Sequence, residues 1–564
     1  MPRAPKQASA DLAESAGRAA TGALAPVTAA VRAFAAASCI AARPLEPAAR
    51  AWVHASGIAA RLAGPLAFAA ALAGTAAAGP VEELDAWLKS DRKTRPALDS
   101  QAFGGAPLSA AECESARALI WAERTAWVKS EWGSQWTGKR IALGSLQMRF
   151  DYRIYGTRPA AGYDFYISMH GGGEAAASVN DQQWQNQIIL YQPQGVYLAP
   201  RAPTDAWNMW HRDHIDAFFD RLIHLGTAMQ EVNPDRVYVM GYSAGGDGAY
   251  QMIPRMADRW AAGAMMAGYP NAASPVNLRN IGMTLHVGGL DAAYDRNTLA
   301  PEFGRQIQKL QDADPGFYKY QVKVYPDKGH WMDQLDAEAI PWMRGFTREP
   351  NPKKVVWLQD TTVGSPVAST EPKVKDPPTQ WAFYWVGRLD RKAAPRQGSI
   401  TASIQGQEVR VEKTNLDSVE IFLNDKLLDL SKPVAFYWQG AKVHEGMVPR
   451  TAAALYRSVD LRGDREMAYS ARVLLTGRGA TGLARRPRPG FRMAKSGGHL
   501  RLDLGPGREA EWAEARIVDP AGRTAAAESF RGGISLPVGG LRAGLWIVEV
   551  GSGREKLARR IVLP

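Results

Sequence analysis

Residues 236–248 decide the fold, and they read RVYVMGYSAGGDG. The first five, Arg236–Met240, form an apolar and aromatic run that is typical of a buried strand. The order G-x-S-x-G follows at once with Ser243 at its centre, and the segment beyond it is helix-like. A strand, a tight glycine turn and a helix in this order would lift the Ser243 hydroxyl above the end of a parallel sheet. The first N–H groups of the helix, beginning at Ala244, would then face a developing negative charge.

Strand-like and helix-like segments alternate on both sides of this turn, from about residue 145 to residue 346. This alternation predicts an α/β fold with a mostly parallel sheet covered by helices on both faces. Ligands of such sheets bind at the carboxyl ends of the strands, so the residues after each strand are the candidate site. The predicted strands are Leu146–Tyr155, Tyr163–Met169, Gly195–Ala199, Arg236–Met240, Ala261–Ala267, Met283–Val287 and Tyr318–Tyr325, and the predicted helices lie near His214–Gln230, Ala244–Met256, Leu299–Asp312 and Gln334–Phe346.

A glycine-rich loop follows the second predicted strand and reads HGGG at residues 170–173. Consecutive glycines let the backbone approach a ligand closely. We expect the N–H groups of Gly171 and Gly172, together with that of Ala244, to form an oxyanion hole. We expect His170 to brace this loop and to take no part in the chemistry.

Two further strand ends carry an acid and a histidine. Asp291 lies just past the strand Met283–Val287, and its rival Asp295 lies four residues beyond. We favour Asp291 because it is the nearer to the strand end. His330 follows the last predicted strand. The chain order Ser243, Asp291, His330 is the one in which nucleophile, acid and base occur when a triad is built on a G-x-S-x-G turn.

Aromatic residues crowd the same predicted edge of the sheet. They could line an acyl or aryl pocket, or they could pack in the core, and the sequence leaves both alternatives open. The candidate substrate-binding residues are Trp184, Trp207, Tyr269 and Trp331, and Trp210 lies in the same region.

The segment HRDH at residues 211–214 places two histidines three residues apart, where they can share one face of a helix. A zinc site needs at least three protein ligands, and no third ligand is evident nearby. We therefore expect no metal here and interpret the segment as the start of a helix.

Together these motifs resemble the α/β-hydrolase family of serine esterases over about residues 135–350. The stretches HGGG (170–173), PTDAWN (203–208), 241–248 and GHW (329–331) are similar to secreted bacterial esterases of the phospholipase/carboxylesterase and polyhydroxybutyrate-depolymerase type. The resemblance implies hydrolysis of a small-molecule or polymeric carboxylic ester without a metal or an organic cofactor. It implies that Ser243 is the nucleophile, that His330 is the general base and that Asp291 orients His330.

Two other functions stay open at this point. A serine peptidase would use the same three residues, and a surface-binding protein could keep the scaffold without the activity. Peptidases of this fold commonly carry a large propeller domain ahead of the catalytic domain, whereas only about 55 residues separate the leader from the hydrolase here. The intact set of serine, acid and histidine argues against the binding protein.

Residues 1–79 form an alanine-rich leader. Arg61 followed by the uncharged stretch Leu62–Gly79, which ends in three alanines, is typical of a signal peptide with its cleavage site. A signal normally begins within a few residues of the start, so one hypothesis places the start of translation near Val53, and the alternative is a disordered leader. We expect a protein that is secreted or held in the cell envelope.

The flanking segments predict further domains. Residues 80–134 are expected to form a helical extension, residues 135–350 the catalytic domain, and residues 351–380 a linker broken by a strand at Val355–Leu358. A small all-β domain is expected over 381–478, an Arg/Pro-rich linker over 479–490, and a β-sandwich over 491–564. The last of these resembles the sorting domains of type IX secretion, which implies contact with the cell surface or the secretion machinery. A generic immunoglobulin-like sandwich fits it equally well.

Composition excludes several classes of protein. The net charge of +12 is concentrated in part in an arginine-rich linker, and no basic helix with interleaved aromatic residues is present in the sequence. We therefore expect no nucleic-acid partner. The 2 cysteines exclude a disulfide scaffold.

Overall fold

A computed structural model describes residues 78–212, 214–360, 382–387, 397–481, 492–496, 499–503, 512–521, 523–531, 533–552 and 555–563. The described residues belong to one compact unit, Ala76–Pro564. Nearly all of the leader, with its signal-like segment, and most of the Arg/Pro-rich linker lie outside the described residues. No helix in the described part of the chain is long and apolar enough to cross a membrane.

An eight-stranded sheet with the order β1-β2-β4-β3-β5-β6-β7-β8 forms the centre of the catalytic domain. Strands β3 to β8 run parallel, and β1 and β2 are antiparallel to their neighbours. The prediction of a mostly parallel α/β sheet is confirmed, and this strand order fits an α/β-hydrolase; the sequence had not indicated β1. The strands are β1 (Arg140–Leu143), β2 (Leu146–Tyr155), β3 (Tyr163–Met169), β4 (Gly195–Pro200), β5 (Val232–Tyr242), β6 (Ala262–Met266), β7 (Gly282–Gly288) and β8 (Lys319–Tyr325).

Both faces of this sheet are covered, as the side chains of β5 show. Val237 and Val239 enter one core cluster, while Tyr238 and Met240 enter another. Successive strand residues point to opposite faces, so this division requires apolar cover on both sides. The helices of the described chain are α1 (Pro80–Leu88), α2 (Ala110–Thr137), α3 (Ala177–Leu190), α4 (His214–Gln230), α5 (Ala244–Arg255), α6 (Arg296–Ala313), α7 (Ala339–Arg344) and α8 (Ala452–Arg462).

Helix α3 was not predicted from the sequence. Its residues read ASVNDQQWQNQIIL, so eight polar side chains precede the apolar run at its end and no regular apolar stripe marks the helix. The helix is nevertheless held by Trp184 and Ile188, which pack against Ala199 of β4. Tertiary packing therefore stabilises a helix that the periodicity did not indicate.

The segment expected to form a helical extension contains α1 and α2, and α2 ends beyond the predicted boundary at residue 134. Helix α2 begins at a capping box, in which Ser109 and Glu112 satisfy each other's backbone N–H groups, and it continues to Thr137. It packs against α4 of the catalytic domain and α8 of the next domain. The extension therefore connects two domains.

The middle domain consists of two five-stranded sheets, with the orders β10-β11-β14-β17-β18 and β16-β15-β13-β12-β9. Strand β9 pairs with β12, so residues 354–360 belong to this domain and not to a linker. Helix α8 also lies within it, so the expectation of an all-β domain was wrong in one element. Strand β18 occupies the predicted start of the Arg/Pro-rich linker. The strands are β9 (Lys354–Asp360), β10 (Ala382–Phe383), β11 (Val386–Gly387), β12 (Gln397–Gln405), β13 (Glu408–Thr414), β14 (Ser418–Leu423), β15 (Val434–Trp438), β16 (Ala441–Gly446), β17 (Ala471–Thr476) and β18 (Gly479–Thr481).

The last domain contains a three-stranded sheet, β19-β20-β23, and a four-stranded sheet, β22-β21-β24-β25. Side chains from both sheets, such as Leu502 and Val548, enter one apolar core. The described strands therefore pack as two layers, and a role in sorting stays a prediction. They are β19 (Arg492–Ser496), β20 (His499–Asp503), β21 (Trp512–Val518), β22 (Thr524–Arg531), β23 (Gly533–Pro537), β24 (Gly544–Ser552) and β25 (Glu555–Leu563).

Buried charges join the catalytic and middle domains. The guanidinium of Arg348 lies 2.7 Å from a carboxylate oxygen of Asp235 at β5 and 2.7 Å from one of Asp464 beyond α8. Arg348 and Asp464 are both buried. A buried charge is costly unless it is paired, so this contact stabilises one relative position of the two domains.

Candidate active site

The turn between β5 and α5 holds Ser243 in a strained backbone conformation. Its φ is +57° and its ψ −120°, which is unusual for a residue with a side chain. A Cβ on Gly241 would lie 2.1 Å from the carbonyl oxygen of Gly245, and a Cβ on Gly245 would lie 2.2 Å from that of Met169. The positions two residues before and two residues after the serine must therefore both be glycine. The turn presents the Ser243 hydroxyl at the carboxyl edge of the sheet, as the motif predicts.

Three of the candidate residues form one chain of hydrogen bonds. His330 Nε2 lies 2.9 Å from Ser243 Oγ, and His330 Nδ1 lies 2.8 Å from Asp291 Oδ2. The carboxylate of Asp291 accepts from Nδ1, so Nδ1 carries the proton and Nε2 is free to accept the proton of Ser243. The structure thus brings Asp291 to His330, whereas the rival Asp295 is the residue immediately before α6.

Sequence reasoning missed a cation beside these residues. One guanidinium nitrogen of Arg296 lies 3.4 Å from Asp291 Oδ1 and 3.5 Å from His330 Nδ1. Arg296 is buried and opens helix α6. Its position five residues after Asp291 is the only signal in the sequence that could have indicated it.

The glycine loop lies directly against the nucleophile. A Cβ on Gly171 would approach the Ser243 Cβ to 3.1 Å, and one on Gly172, whose φ is +104°, would lie 2.2 Å from Asn180 Oδ1. The N–H of Gly173 donates to the same oxygen at 2.8 Å and is therefore committed to holding the loop. Gly172 is exposed and Gly171 buried. The segment therefore lies beside the nucleophile, and its role as an oxyanion hole stays a prediction.

Asn180 was also missed by sequence reasoning. It is buried in α3, and its side-chain amide donates to Asp205 at 2.9 Å. Asp205 lies in the PTDAWN stretch on which part of the family resemblance depends. The stretch therefore supports the glycine loop through Asn180, a connection that only the folded chain reveals.

His170 braces the loop, as its expected structural role requires. Its Nδ1 lies 2.6 Å from the Gly171 carbonyl oxygen, and its Nε2 accepts from the Ala202 N–H at 3.1 Å. Since a carbonyl can only accept, Nδ1 carries the proton. Burial lowers the pKa of His170 to about 3, so the ring is neutral at pH 7 and can keep both hydrogen bonds.

The five aromatic residues divide into two groups. Trp207 and Trp331 are 47% and 48% exposed, and Tyr269 is partly exposed. Trp207 lies against Gly173, and Trp331 adjoins His330, so both border the site. Trp184 and Trp210 are buried and donate to the carbonyl oxygens of Ala199 and His170. Trp184 and Trp210 therefore pack in the core, which is the second of the two alternatives that the sequence left open.

A further carboxyl lies one helical turn from the nucleophile. Asp247 accepts from the Tyr269 N–H at 2.5 Å. Burial raises the pKa of Asp247 to about 6, while this hydrogen bond and the nearby Arg296 act in the opposite direction. The group therefore titrates close to neutral pH at the edge of the candidate site.

The two histidines of the HRDH segment are buried at the start of α4. Burial lowers the pKa of both His211 and His214 to about 4. Among the described residues, no group of three or more His, Cys, Asp or Glu side chains could hold a metal ion.

The sequence matches no described protein family and no curated protein. Solved structures with which it aligns include a ferulic acid esterase at 16% identity, with 35% of this chain and 93% of that chain covered and a TM-score of 0.27. The feruloyl esterase module from Clostridium thermocellum aligns at 17% identity, with 37% and 86% covered and a TM-score of 0.27. Esterase 2 from Thermogutta terrifontis aligns at 14% identity, with 36% and 88% covered and a TM-score of 0.28. Because all three TM-scores are below 0.5, the fold assignment depends on the strand order and the site depends on its geometry.

Proposed function

We propose that this protein is a serine hydrolase that cleaves carboxylic esters through an acyl-enzyme intermediate. One observation carries the proposal: the hydrogen-bonded chain from Asp291 through His330 to Ser243, built on a strained glycine turn at the carboxyl edge of the sheet. Nucleophile, base and orienting acid in mutual hydrogen-bond contact are what nucleophilic catalysis by serine requires.

The proposed reaction has two halves. Ser243 Oγ attacks the ester carbonyl carbon while His330 Nε2 takes the hydroxyl proton. The tetrahedral intermediate then collapses, the ester C–O bond breaks, and His330 gives the proton to the departing alcohol oxygen. Water next attacks the acyl-enzyme carbonyl carbon while His330 takes a proton from it. The second tetrahedral intermediate then breaks its bond to Ser243 Oγ, the acid is released, and His330 gives the proton from water to Ser243. Asp291 holds the imidazole and stabilises its positive charge throughout.

The negative charge of each tetrahedral intermediate needs donors that are already in place. We assign this role to the backbone N–H groups of Ala244 and of the Gly171–Gly172 segment, which adjoin Ser243. Removing one such donor from a protease costs about 2.7–4 kcal/mol of transition-state stabilisation. We propose that three aromatic side chains contact the substrate at the entrance to the active site: the exposed Trp207 and Trp331, and the partly exposed Tyr269.

The test is a panel of p-nitrophenyl and feruloyl esters, assayed beside aminoacyl anilides, with the wild type and Ser243→Ala. We expect ester turnover that the substitution abolishes while the melting temperature stays within a few degrees. Anilide cleavage alone, again dependent on Ser243, would assign the protein to the serine peptidases. Absence of any turnover dependent on Ser243 would reject the enzymatic proposal and favour a binding protein.

We also propose export, which is supported by the sequence of Leu62–Gly79 alone. Cleavage after the alanine run would begin the mature chain near residue 79. Mass spectrometry of the protein from its native cells, with the medium and envelope analysed separately, tests this. A peptide from residues 1–50 in the mature protein would contradict it.

A further inference from the structure

The hydroxyl of Tyr242 bridges two backbone groups of the loop that carries His330. It donates to the carbonyl oxygen of His330 at 2.7 Å and accepts from the N–H of Met332 at 3.0 Å. Tyr242 is the last residue of β5 and immediately precedes Ser243. The residue before the nucleophile is therefore tied to the residues on either side of Trp331.

We propose that Tyr242 is a positioning residue, which sets the distance between His330 Nε2 and Ser243 Oγ and so controls proton transfer between them. This inference rests on the proposed function. The nucleophile and the base come from separate elements, the turn after β5 and the loop after β8. Proton transfer requires them to stay within hydrogen-bond reach, and a displacement of about 1 Å can cost about 100-fold in rate.

A hydroxyl is the group that this position needs. It must donate to one backbone oxygen and accept from one backbone N–H, and a phenylalanine can do neither. Tyr242 is buried, and burial raises its pKa well above the ordinary value, so the hydroxyl keeps its proton and remains a donor. Asp291 fixes the imidazole ring at Nδ1, whereas Tyr242 ties the backbone of His330 to the residue before the nucleophile.

The far end of the same loop is anchored independently. The buried carboxyl of Asp336 accepts a hydrogen bond from the hydroxyl of Tyr191, which follows α3. The loop is therefore held at both ends, so loss of the Tyr242 contact is expected to shift the His330 end without unfolding the whole loop. The Tyr242 ring also packs 5.6 Å from the Trp331 ring, a contact that a phenylalanine would keep.

The chain offers a matched control on the same strand. Tyr238 is buried in β5 four residues before Tyr242, and its hydroxyl donates at 2.9 Å to the carbonyl oxygen of Phe346, which is not part of the His330 loop. Tyr238→Phe and Tyr242→Phe each delete one buried hydroxyl that bonds to backbone. A purely structural role predicts similar losses of stability and the same kinetics for both.

The experiment compares wild type, Tyr242→Phe, Tyr238→Phe and Ser243→Ala for kcat and KM on the best p-nitrophenyl ester, for the rate of labelling by a fluorophosphonate, and for melting temperature. We expect Tyr242→Phe to lower kcat and the labelling rate about 10- to 100-fold with KM changed less than about 2-fold. Tyr238→Phe should lower the melting temperature but leave both rates at the wild-type value.

Two results would overturn the inference: wild-type rates in Tyr242→Phe, or equal loss of rate in both tyrosine variants. The proposed function fails separately if the wild type hydrolyses no ester in a manner dependent on Ser243. The labelling rate still decides the role of Tyr242 in that case, because phosphonylation needs the nucleophile and its base but no ester substrate.

Discussion

Replacing His170 by phenylalanine should impair the oxyanion hole without touching the three residues of the proposed triad. The ring is buried and neutral, and it connects the Gly171 carbonyl to the Ala202 N–H by hydrogen bonds of 2.6 Å and 3.1 Å. Phenylalanine keeps an aromatic ring at this position but offers no hydrogen-bonding group, so both hydrogen bonds are lost.

The magnitude follows from the groups left behind. The N–H of Ala202 and the carbonyl of Gly171 would be buried without a partner, and each such group costs about 1–3 kcal/mol, so the free energy of unfolding should fall by about 2–6 kcal/mol. The effect on catalysis is larger. If the Gly171–Gly172 segment shifts and one oxyanion donor is lost, kcat should fall about 100- to 1000-fold.

The assay pairs guanidinium denaturation with ester hydrolysis and includes His286→Phe as the control. His286 is also buried, and its two ring nitrogens lie 2.8 Å and 2.9 Å from the hydroxyls of Thr284 and Tyr325. Its loss should lower stability, less than in His170→Phe because the hydroxyls can rotate to other partners, and should leave kcat close to the wild-type value. Unchanged kcat in His170→Phe, or an equal fall of kcat in both variants, would show that His170 does not support the oxyanion hole.

Three further outcomes are expected. Asp291→Asn should lower kcat about 10,000-fold, because an amide at this position favours the wrong tautomer of His330. Ser243 should still react slowly with a fluorophosphonate. Ester kinetics measure the loss, and a loss below about 10-fold would assign the orienting acid to another residue. Arg348→Met should lower the free energy of unfolding by about 3–5 kcal/mol, since it leaves the buried Asp464 without its nearest cation. Adding Asp464→Asn should restore part of this loss, as measured by chemical denaturation. An unchanged denaturation midpoint in the single variant would show that the pair contributes nothing to stability. Stability should fall on acidification from about pH 6.5 towards pH 4, by up to about 1.4 kcal/mol per pH unit for each histidine that is buried in its neutral form. The sign follows from folded-state pKa values below the ordinary one, which make the unfolded chain bind more protons as the pH falls. Burial raises the pKa of Asp235, Asp247 and Asp336, so these carboxyls oppose the trend. Denaturation midpoints that do not change between pH 7 and pH 5 would contradict the prediction. Burial lowers the pKa of His170 to about 3, and that of His211, His214, His224 and His286 to about 4.

Much of the catalytic domain could be predicted because its signals are local. A strand, a glycine turn and a helix are each encoded within a few consecutive residues, and the parallel order of the strands then places their carboxyl ends on one edge. Ser243, Asp291 and His330 could be selected for this reason, although 39 residues separate the last two. The boundaries of the middle domain could not be predicted as well, because β9 belongs to that domain only through its pairing with β12.

The parallel sheet, the sharp turn at Ser243 and the order of the three candidate catalytic residues follow from the sequence, because backbone preferences and apolar periodicity act over short stretches of chain. Three-dimensional packing settled which acid reaches His330, that Arg296 lies beside both, and that Tyr242 and Asn180 hold the two loops around Ser243. It also decided that Trp184 packs in the core while Trp207 and Trp331 stay exposed. These outcomes depend on hydrogen bonds and burial between segments that are distant in the chain, and such contacts leave no periodic signal in the sequence.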